Sequence, residues 1–167
     1  MTKMKNLNKA LELFARDVVF EAQRNIGAKY KGRKIDSSGR LRKGLMYTKK
    51  KNSSGMSITF GANSDLQDYA SVVEYGRRKG AKAPPPDALK QWFKDKPVRY
   101  RKDGKFAKAT KSDIDGMAYL IGQKIKKKGI AGRRYYGRAI ERMMKKHEET
   151  IQAAFLEDLE LNLVFDK

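Results

Sequence analysis

The two ends of the chain carry long apolar stripes with helical spacing, and these stripes constrain the fold more than any other feature of the sequence. The first predicts a helix from about Asn6 to Ile26 that Gly27 ends, and the second predicts a last helix from about Gly137 to Leu159. A helix with one apolar face needs a partner to cover it, so we expect both helices to back the core. The predicted inner faces comprise Leu7, Ala10, Leu11, Phe14, Val18, Ala22 and Ile26, and Ile140, Met143, Met144, His147, Ile151, Ala154 and Phe155.

Short alternating segments between the two stripes indicate a small sheet. "MYTKKK", a turn at residues 52–55 and "MSITFGA" predict a β-hairpin, since the second run alternates apolar and small or polar residues. Residues 69–75 favour a third strand or a turn over a full helix, and the terminal "LELNLVF" favours a strand at a sheet edge. We therefore predict an α+β fold, in which a small antiparallel sheet, the hairpin plus one or two further strands, packs against the long N- and C-terminal helices.

Three prolines at positions 84–86 prepare a short helix. Proline is favoured at the start of a helix, so we expect a helix from about Pro86 to Lys96, ended by Pro97, with Leu89, Trp92 and Phe93 on one side. A further helix begins at a Ser112–Asp115 capping box and ends at Gly129, with an apolar stripe between them. Around these elements, the candidate structural anchors are Tyr75, Gly76, Pro85, Trp92 and Tyr136.

The length of 167 residues suits a single domain, and the composition narrows its setting. We expect one domain over residues 1–167, with a basic flexible arm at about 28–39 and a basic loop at about 98–111. Cysteine is absent, which excludes disulfides, thiolate metal sites and cysteine nucleophiles. No run of about 18 apolar residues and no export signal is evident, so we expect no membrane contact and synthesis in the cytoplasm.

The charge is strongly basic and unevenly distributed. Lys and Arg number 39 against 19 acids, giving a formal charge of +20, and residues 29–51 hold ten cations and one acid, whereas residues 147–167 hold six acids and one lysine. This asymmetry suits nucleic-acid binding, and it equally suits head-to-tail packing of copies in a ring. The candidate contacts to a partner or to DNA are Arg33, Lys34, Arg40, Arg42, Arg77, Arg78, Lys79, Lys82, Arg99, Arg101 and Lys102.

The residues available for catalysis are few. His147 is the one histidine, it lies on a strongly amphipathic helix, and the sequence places no serine or aspartate constellation beside it. The scattered carboxylates match no metal-ligand spacing, and the glycines match no phosphate-binding loop. We therefore expect no enzyme activity, no cofactor and no metal.

Three motifs in this order resemble the minor tail-component family of long-tailed, lambda-like bacteriophages, which includes neck and tail-completion proteins. They are "SGRLRKGL" at 38–45 after a long first helix, "YASVVEYGRR" at 69–78 followed by "APPPDALKQWFKDK", and "GIAGRRYYGRAIE" at 129–141 before the last helix. The resemblance implies a structural virion protein that forms a ring at the head-proximal end of the tail or in the neck. It brings no catalytic residues.

The partners implied by this resemblance are other copies of the chain and its neighbours in the virion. We expect a ring, of six copies or of twelve, together with neck, tail-tube or connector proteins and transient, nonspecific contact with genome DNA. The expected location is the virion, at the neck or at the head-proximal end of the tail. The alternative from the residues alone is a nonspecific nucleic-acid-binding protein unrelated to virions.

Overall fold

A computed structural model describes residues 4–28, 38–52, 55–95, 100–102 and 105–165. Its contacts group the chain into two compact units. Unit 1 comprises residues 1–36, 40–70 and 134–167, and unit 2 comprises residues 37–39 and 71–133. The single domain predicted from the length stays a prediction.

The described residues contain long helices and short antiparallel strand pairs, which confirms the predicted α+β class. The helices are α1 (Lys5–Gly27), α2 (Arg40–Lys43), α3 (Gln67–Tyr75), α4 (Pro86–Asp95), α5 (Lys111–Lys128) and α6 (Tyr135–Phe165). The strands are β1 (Leu45–Asn52), β2 (Gly55–Ala62), β3 (Gly76–Arg77), β4 (Tyr100–Lys102), β5 (Lys105–Ala107) and β6 (Ile130–Ala131). They pair as β1–β2, β3–β6 and β4–β5, so within the described residues the hairpin's sheet gains no further strand.

The core of unit 1 is the antiparallel pair of α1 and α6, as the stripes at the two ends predicted. The amide of Leu7 near the start of α1 meets Asp158 near the end of α6, and the side chain of Asn25 donates to the Tyr135 carbonyl at the other end. Alanines on both helices are fully buried, which lets the two backbones approach closely. The buried apolar residues of α1 are Ala10, Phe14, Ala15, Val18, Ala22 and Ile26.

Asp158 caps α1 from the opposite helix. Met4 at the N-cap position makes no side-chain capping bond, and the backbone amides of Asn6 and Leu7 instead donate to the Asp158 carboxylate at 3.1 and 2.9 Å. Asp158 is 1% exposed. A buried carboxylate is stable here because it accepts two of the amide bonds that the first turn of a helix leaves unmade.

The β1–β2 hairpin is fixed to the helix pair by aromatic contacts. Tyr47 lies opposite Phe60 in the register, and the Phe60 ring lies 6.3 Å from Phe14 and 5.6 Å from Tyr136, centroid to centroid. The Tyr136 hydroxyl lies 2.8 Å from the Gly61 carbonyl oxygen and 3.0 Å from that of Met46. Tyr136, a predicted anchor, is thus buried where α6 meets both strands.

Unit 2 has a smaller core between α4 and α5. Leu89, Phe93 and Ala118 are buried, and Ile114, Met117, Ile121 and Ile125 pack around them. The predicted anchor Trp92 is 37% exposed, with its ring 5.3 Å from that of Phe93, so it lies at the rim of this core. Pro85, another predicted anchor, precedes α4, and its carbonyl accepts from the Ala88 and Leu89 amides.

Two predicted strands are helices. Residues 69–75 lie in α3, where Ala70 and Glu74 are buried one turn apart, and Tyr75 is 81% exposed rather than anchored in a core. Ala70 and Glu74, four residues apart, are buried together on one face of the helix, and this burial outweighs the strand preference of the β-branched residues Val72 and Val73. The segment "LELNLVF" continues α6 to Phe165, because extending a helix needs no partner strand, whereas an added strand does.

Two further predictions of detail are wrong. The capping box of α5 is formed by Thr110 and Asp113, whose side chains each bond the other's backbone amide, and Asp115 instead pairs with Lys90 at 2.8 Å. On α6, Met144 and Phe155 are 46% and 41% exposed, although the apolar stripe predicts them on the inner face. The inner face is instead shifted toward Ala139 and Asp158, which are both buried. An apolar pattern could not include Asp158, because aspartate is charged.

Candidate assembly and nucleic-acid surfaces

Unit 2 gathers basic side chains where the segment after α3 meets the end of α5. The Gly80 amide donates to the Lys126 carbonyl at 2.8 Å, and a Cβ placed at Gly129 would lie 2.5 Å from the Arg77 carbonyl oxygen. The two segments are therefore in direct contact. Together they form what we call the cationic cluster: Arg77, Arg78, Lys79, Lys82, Lys126, Lys127 and Lys128.

Glycines hold the backbone of the cationic cluster. Gly76 and Gly129 have φ angles of +81° and +70°, which side-chain-bearing residues rarely adopt. A Cβ at Gly76 would collide with the Ile130 carbonyl oxygen, and Gly76 pairs with Ala131 in the β3–β6 ladder. The predicted bend at Gly76 is thus a point where two backbones touch.

Arg77 closes the loop, and the other cations face solvent. Its Nη2 donates to the Lys82 carbonyl at 2.9 Å, and the residue is half-buried. Arg78, Lys79, Lys82 and the three lysines of α5 are exposed. Within the described part of the chain, none of the seven forms an ion pair with a carboxylate.

The cationic cluster has the chemistry of a surface that binds anions without reading sequence. Lysine is a flexible point charge that suits phosphates or carboxylates, and cations at a helix C-terminus complement the helix dipole. Such a concentration of one sign of charge attracts polyanions over a distance of about 10 Å at ordinary salt. DNA backbone and an acidic protein surface both fit this chemistry.

Unit 1 has a second candidate surface, a shallow groove of about 520 Å³ at the end of α1 beside α2. We call it the basic groove; Phe20, Gln23, Arg24, Gly27, Arg42 and Lys43 line it. Phe20 is 63% exposed and supplies an apolar surface, and the cations lie around it. A Cβ at Gly27 would lie 3.4 Å from Nη1 of Arg42, so the missing side chain leaves room for that guanidinium over α1.

Charge between α1 and α6 is compensated by close pairs. Glu21, only 5% exposed, bonds Arg24 at 3.2 Å and Arg142 at 2.7 Å. Asp17 bonds Lys146 at 2.8 Å and His147 at 2.9 Å. These pairs fix the register of the two helices along their length.

The environment of His147 is that of a packed side chain in a helix interface. The residue is 5% exposed, its ring lies edge-on to Phe14 at 6.0 Å, and Nε2 meets the Asp17 carboxylate. The hydrogen bond from Lys146, followed by that from His147, lowers the pKa of Asp17 below its ordinary value of 3.8. The contact ties α6 to α1 within unit 1.

The structure brings part of the predicted contact set together. Arg77, Arg78, Lys79 and Lys82 share one surface of unit 2. Arg40 and Arg42 lie on α2 in unit 1, where Arg40 pairs with Asp65 at 3.3 Å. The backbones of Arg101 and Lys102 belong to β4, whereas Arg33, Lys34 and Arg99, with most of the arm at 28–39, lie outside the described residues.

Sequence reasoning missed several members of both surfaces. Lys126, Lys127 and Lys128 were readable as a basic run before the helix-ending Gly129, but only the fold places them against the Arg77–Lys82 loop. Phe20 and Arg24 lie off the apolar stripe of α1, and nothing local marks them as the wall of a groove. Asp17 lies 130 positions from His147 in the chain, so their contact left no sequence signal.

The described residues lack the features of a metal site and of a membrane span. They contain no group of three or more His, Cys, Asp or Glu side chains that could hold a metal ion. Within the same part of the chain, no helix combines the length and apolar character needed to cross a membrane.

Residues 3–76 match the family model described as "Bacteriophage HK97-gp10, putative tail-component". Over these residues the chain is similar to HK97-gp10, and we call them the HK97-gp10-like region. The match confirms the resemblance to phage tail components that the motifs predicted. No curated protein and no solved structure matches the chain.

The HK97-gp10-like region contains only one of the two surfaces. It includes α1, α2, the β1–β2 hairpin and α3, and therefore the whole basic groove. It ends at Gly76, one residue before the cationic cluster begins. The basic groove thus lies in the part of the chain that resembles tail components, and the cationic cluster lies in the part beyond it.

Proposed function

We propose that this protein is a structural subunit of a tailed phage, a neck or tail-completion protein that forms a ring at the head–tail junction and helps to join tail to head. The observation that carries the proposal is the HK97-gp10-like match over residues 3–76. The described residues support a binding role, since they offer two basic surfaces. We propose no enzyme activity and no cofactor.

The two basic surfaces suit such a position in the virion. Genome DNA passes through a neck ring in every sequence register, so nonspecific phosphate attraction is useful there and base recognition is not. Acidic faces of adjacent connector or tail-tube proteins are the other partners that the charge of +20 suits. We propose six or twelve copies, because closed rings dominate assemblies of this kind.

A nonsense mutation in the gene, in the phage or prophage that encodes it, tests this function. We expect lysates that contain filled heads and separate tails in negative-stain electron microscopy, with infectivity restored when the protein is supplied from a plasmid. Mass spectrometry of purified wild-type virions should detect the protein. Its absence from the particle, or normal joined virions from the mutant, would overturn the proposal.

A nonspecific nucleic-acid-binding protein is the second candidate, and the cationic cluster favours it. Changing Lys126, Lys127 and Lys128 together to Gln should reduce the slope of log affinity against log salt by about 0.9 for each DNA phosphate that these lysines neutralise. The matched control changes Lys5, Lys9 and Lys145, which are exposed lysines of unit 1. Tight DNA binding at physiological salt by a protein absent from virions would favour this second function over the first.

A further inference from the structure

The end of α6 exposes an acidic stripe on the side turned away from α1. Glu149, Leu156 and Glu160 are seven and four residues apart, so they share one face of the helix. All three are exposed, and Leu156 is 57% exposed. Asp158 lies on the opposite face, where it bonds the first turn of α1. We call Glu149, Gln152, Leu156 and Glu160 the acidic stripe.

The basic groove lies toward the other end of the same helix pair. Asp158 meets α1 at Leu7, and Phe20 is thirteen residues further along α1, or about 20 Å at 1.5 Å per residue. Both helices belong to unit 1 and are tied along their length by the pairs at Asp17 and Glu21. The Glu149 end of the stripe lies nearer to the groove, two residues from the His147–Asp17 contact, but the stripe faces away from α1. Because the helix pair is tied in this orientation, one copy cannot bring its own acidic stripe to its own basic groove.

The two surfaces are complementary in charge and in apolar content. The acidic stripe presents one exposed leucine between two glutamates, and the basic groove presents one exposed phenylalanine near Arg42 and Lys43. Arg24, also at the groove, already pairs with Glu21. An amphipathic helix that lays an apolar side chain into a groove, with opposite charges at the rim, is a common mode of recognition. Lys145, one turn before Glu149 on α6, marks the N-terminal limit of the acidic stripe.

We propose that the acidic stripe of one copy docks in the basic groove of the next. This is a heterologous, head-to-tail contact, which produces a ring when its rotation closes and a filament when it does not. This contact specifies which surfaces join neighbouring copies in the ring of the proposed function. It rests on that function only for the claim that the copies close into a ring. One helix face in one shallow groove buries less than a stable interface, so free copies associate weakly and the contact strengthens when a ring supplies both ends at once.

The absence of cysteine from the chain allows a direct test in full-length protein. One variant carries Gln23→Cys in the basic groove and a second, with an affinity tag that shifts its mass, carries Gln152→Cys on the acidic stripe; Phe20 and Leu156 stay in place. We expect an oxidised equimolar mixture to form the mixed disulfide dimer several-fold more than either homodimer on a non-reducing gel. The control replaces the groove variant with Gln123→Cys, an exposed glutamine of α5.

Charge reversal then tests the complementarity. Arg42→Glu with Lys43→Glu in the groove variant should lower the yield of mixed dimer several-fold, and Glu149→Lys with Glu160→Lys in the stripe variant should restore it. Circular dichroism confirms that each variant is folded. The proposal would be overturned if the mixed dimer formed only in the share expected from random pairing, or if the Gln123→Cys control gave an equal yield. It would also be overturned if the groove reversal did not lower the yield of mixed dimer, or if the stripe reversal did not restore it. The disulfide test uses the purified chain, so it is independent of the virion. If the mixed dimer forms but the protein is absent from virions, the proposed function is rejected and this contact stands. If the protein forms rings in virions that the charge reversals do not affect, this contact is rejected and the proposed function stands.

Discussion

The helix pair of unit 1 and the cationic cluster of unit 2 handle their charge in opposite ways. In unit 1 the acids between α1 and α6 each meet cations at hydrogen-bond distance, as Glu21 meets Arg142 and Asp17 meets Lys146. In unit 2 a small apolar core between α4 and α5 carries the packing, and the cationic cluster stays without carboxylate partners among the described residues. Compensated charge fixes a structure, whereas uncompensated charge is available to a partner.

The same comparison separates the resemblance to tail components from the cationic cluster. The HK97-gp10-like residues 3–76 cover the first helix and the hairpin of unit 1, where helix register is set. The excess of cations in unit 2 begins directly after them. The match therefore covers α1 and the hairpin, whereas α6 and the cationic cluster lie beyond it.

The largest effect should come from the core of unit 1. Tyr135 is 2% exposed, and its hydroxyl donates to the Ala70 carbonyl at 3.3 Å. Tyr135→Ala should lower the free energy of unfolding by about 3–5 kcal/mol, because it leaves a large cavity. Urea denaturation measures the change. Tyr119→Ala, at a residue 63% exposed, should change stability by less than about 0.5 kcal/mol; equal losses would show that Tyr135 is not a core residue.

In unit 2 the strongest test is the backbone contact at Gly76. Gly76→Ala should destabilise by at least about 1–3 kcal/mol, since alanine disfavours the positive φ and its Cβ would meet the backbone of Ile130. Gly116→Ala is the matched control, because a Cβ there meets nothing and alanine is the better helix former. Thermal unfolding should therefore shift in opposite directions for the two variants. A neutral Gly76→Ala would contradict the close approach of β3 and β6.

A smaller effect in unit 1 should follow loss of the cap on α1. Asp158→Ala leaves the amides of Asn6 and Leu7 without their acceptor and should cost about 0.5–2 kcal/mol. Hydrogen exchange at those amides should accelerate more than exchange in the middle of α1. Glu157→Ala, at the exposed neighbouring position, should leave both measurements almost unchanged.

The paired charges of unit 1 should appear in its response to acid. The pKa of Asp17 is lowered by the hydrogen bond from Lys146 and then by that from His147. A lowered folded pKa means that this contribution is present above the unfolded value of 3.8 and is lost as pH falls through the folded pKa. Asp17→Asn should therefore flatten the loss of stability in acid, as measured by urea unfolding from pH 6 down to about pH 2. An unchanged acid slope would show that the pair contributes nothing.

The smallest effect belongs to unit 2 and has the opposite sign. The pKa of Lys90 is raised by the hydrogen bond to Asp115, so its contribution is present below 10.5 and is lost as pH rises through the raised pKa. Lys90 lies at the surface, where solvent screens the pair. Lys90→Gln should flatten the fall of stability at alkaline pH and leave unchanged the fall at acid pH that Asp17 causes. Sensitivity to acid instead would contradict this assignment.

Local pattern predicted most of the elements, and it erred where two local patterns compete. The stripes of α1 and α5 placed both helices to within one or two residues, and the alternation around Phe60 placed the hairpin. Residues 69–75 contain both a β-branched pair and a helical pair of buried positions, and the burial of Ala70 and Glu74 was not readable locally. At α5, the Thr/Ser-x-x-Asp spacing occurs twice, and the sequence offered no reason to prefer Thr110 over Ser112.

The sequence could not predict the contacts between distant residues that form the cationic cluster and the basic groove. The basic character of the 77–82 loop was evident, but its contact with Lys126 depends on a backbone bond across unit 2. The basic groove likewise requires α2 to lie beside the end of α1, so that Arg42 passes over Gly27. Neither arrangement has a period or a motif.

The sequence by itself determined α1, α4, α5 and most of α6, the hairpin, the excess of positive charge and the resemblance to phage tail components, because these depend on residue type and on spacing along the chain. The tertiary structure alone decided that Asp158 caps α1, that Asp17 meets His147 and that seven cations share one surface of unit 2. Each of these depends on distances in space between residues far apart in sequence. Packing sets those distances, and packing is a property of the whole fold rather than of any segment.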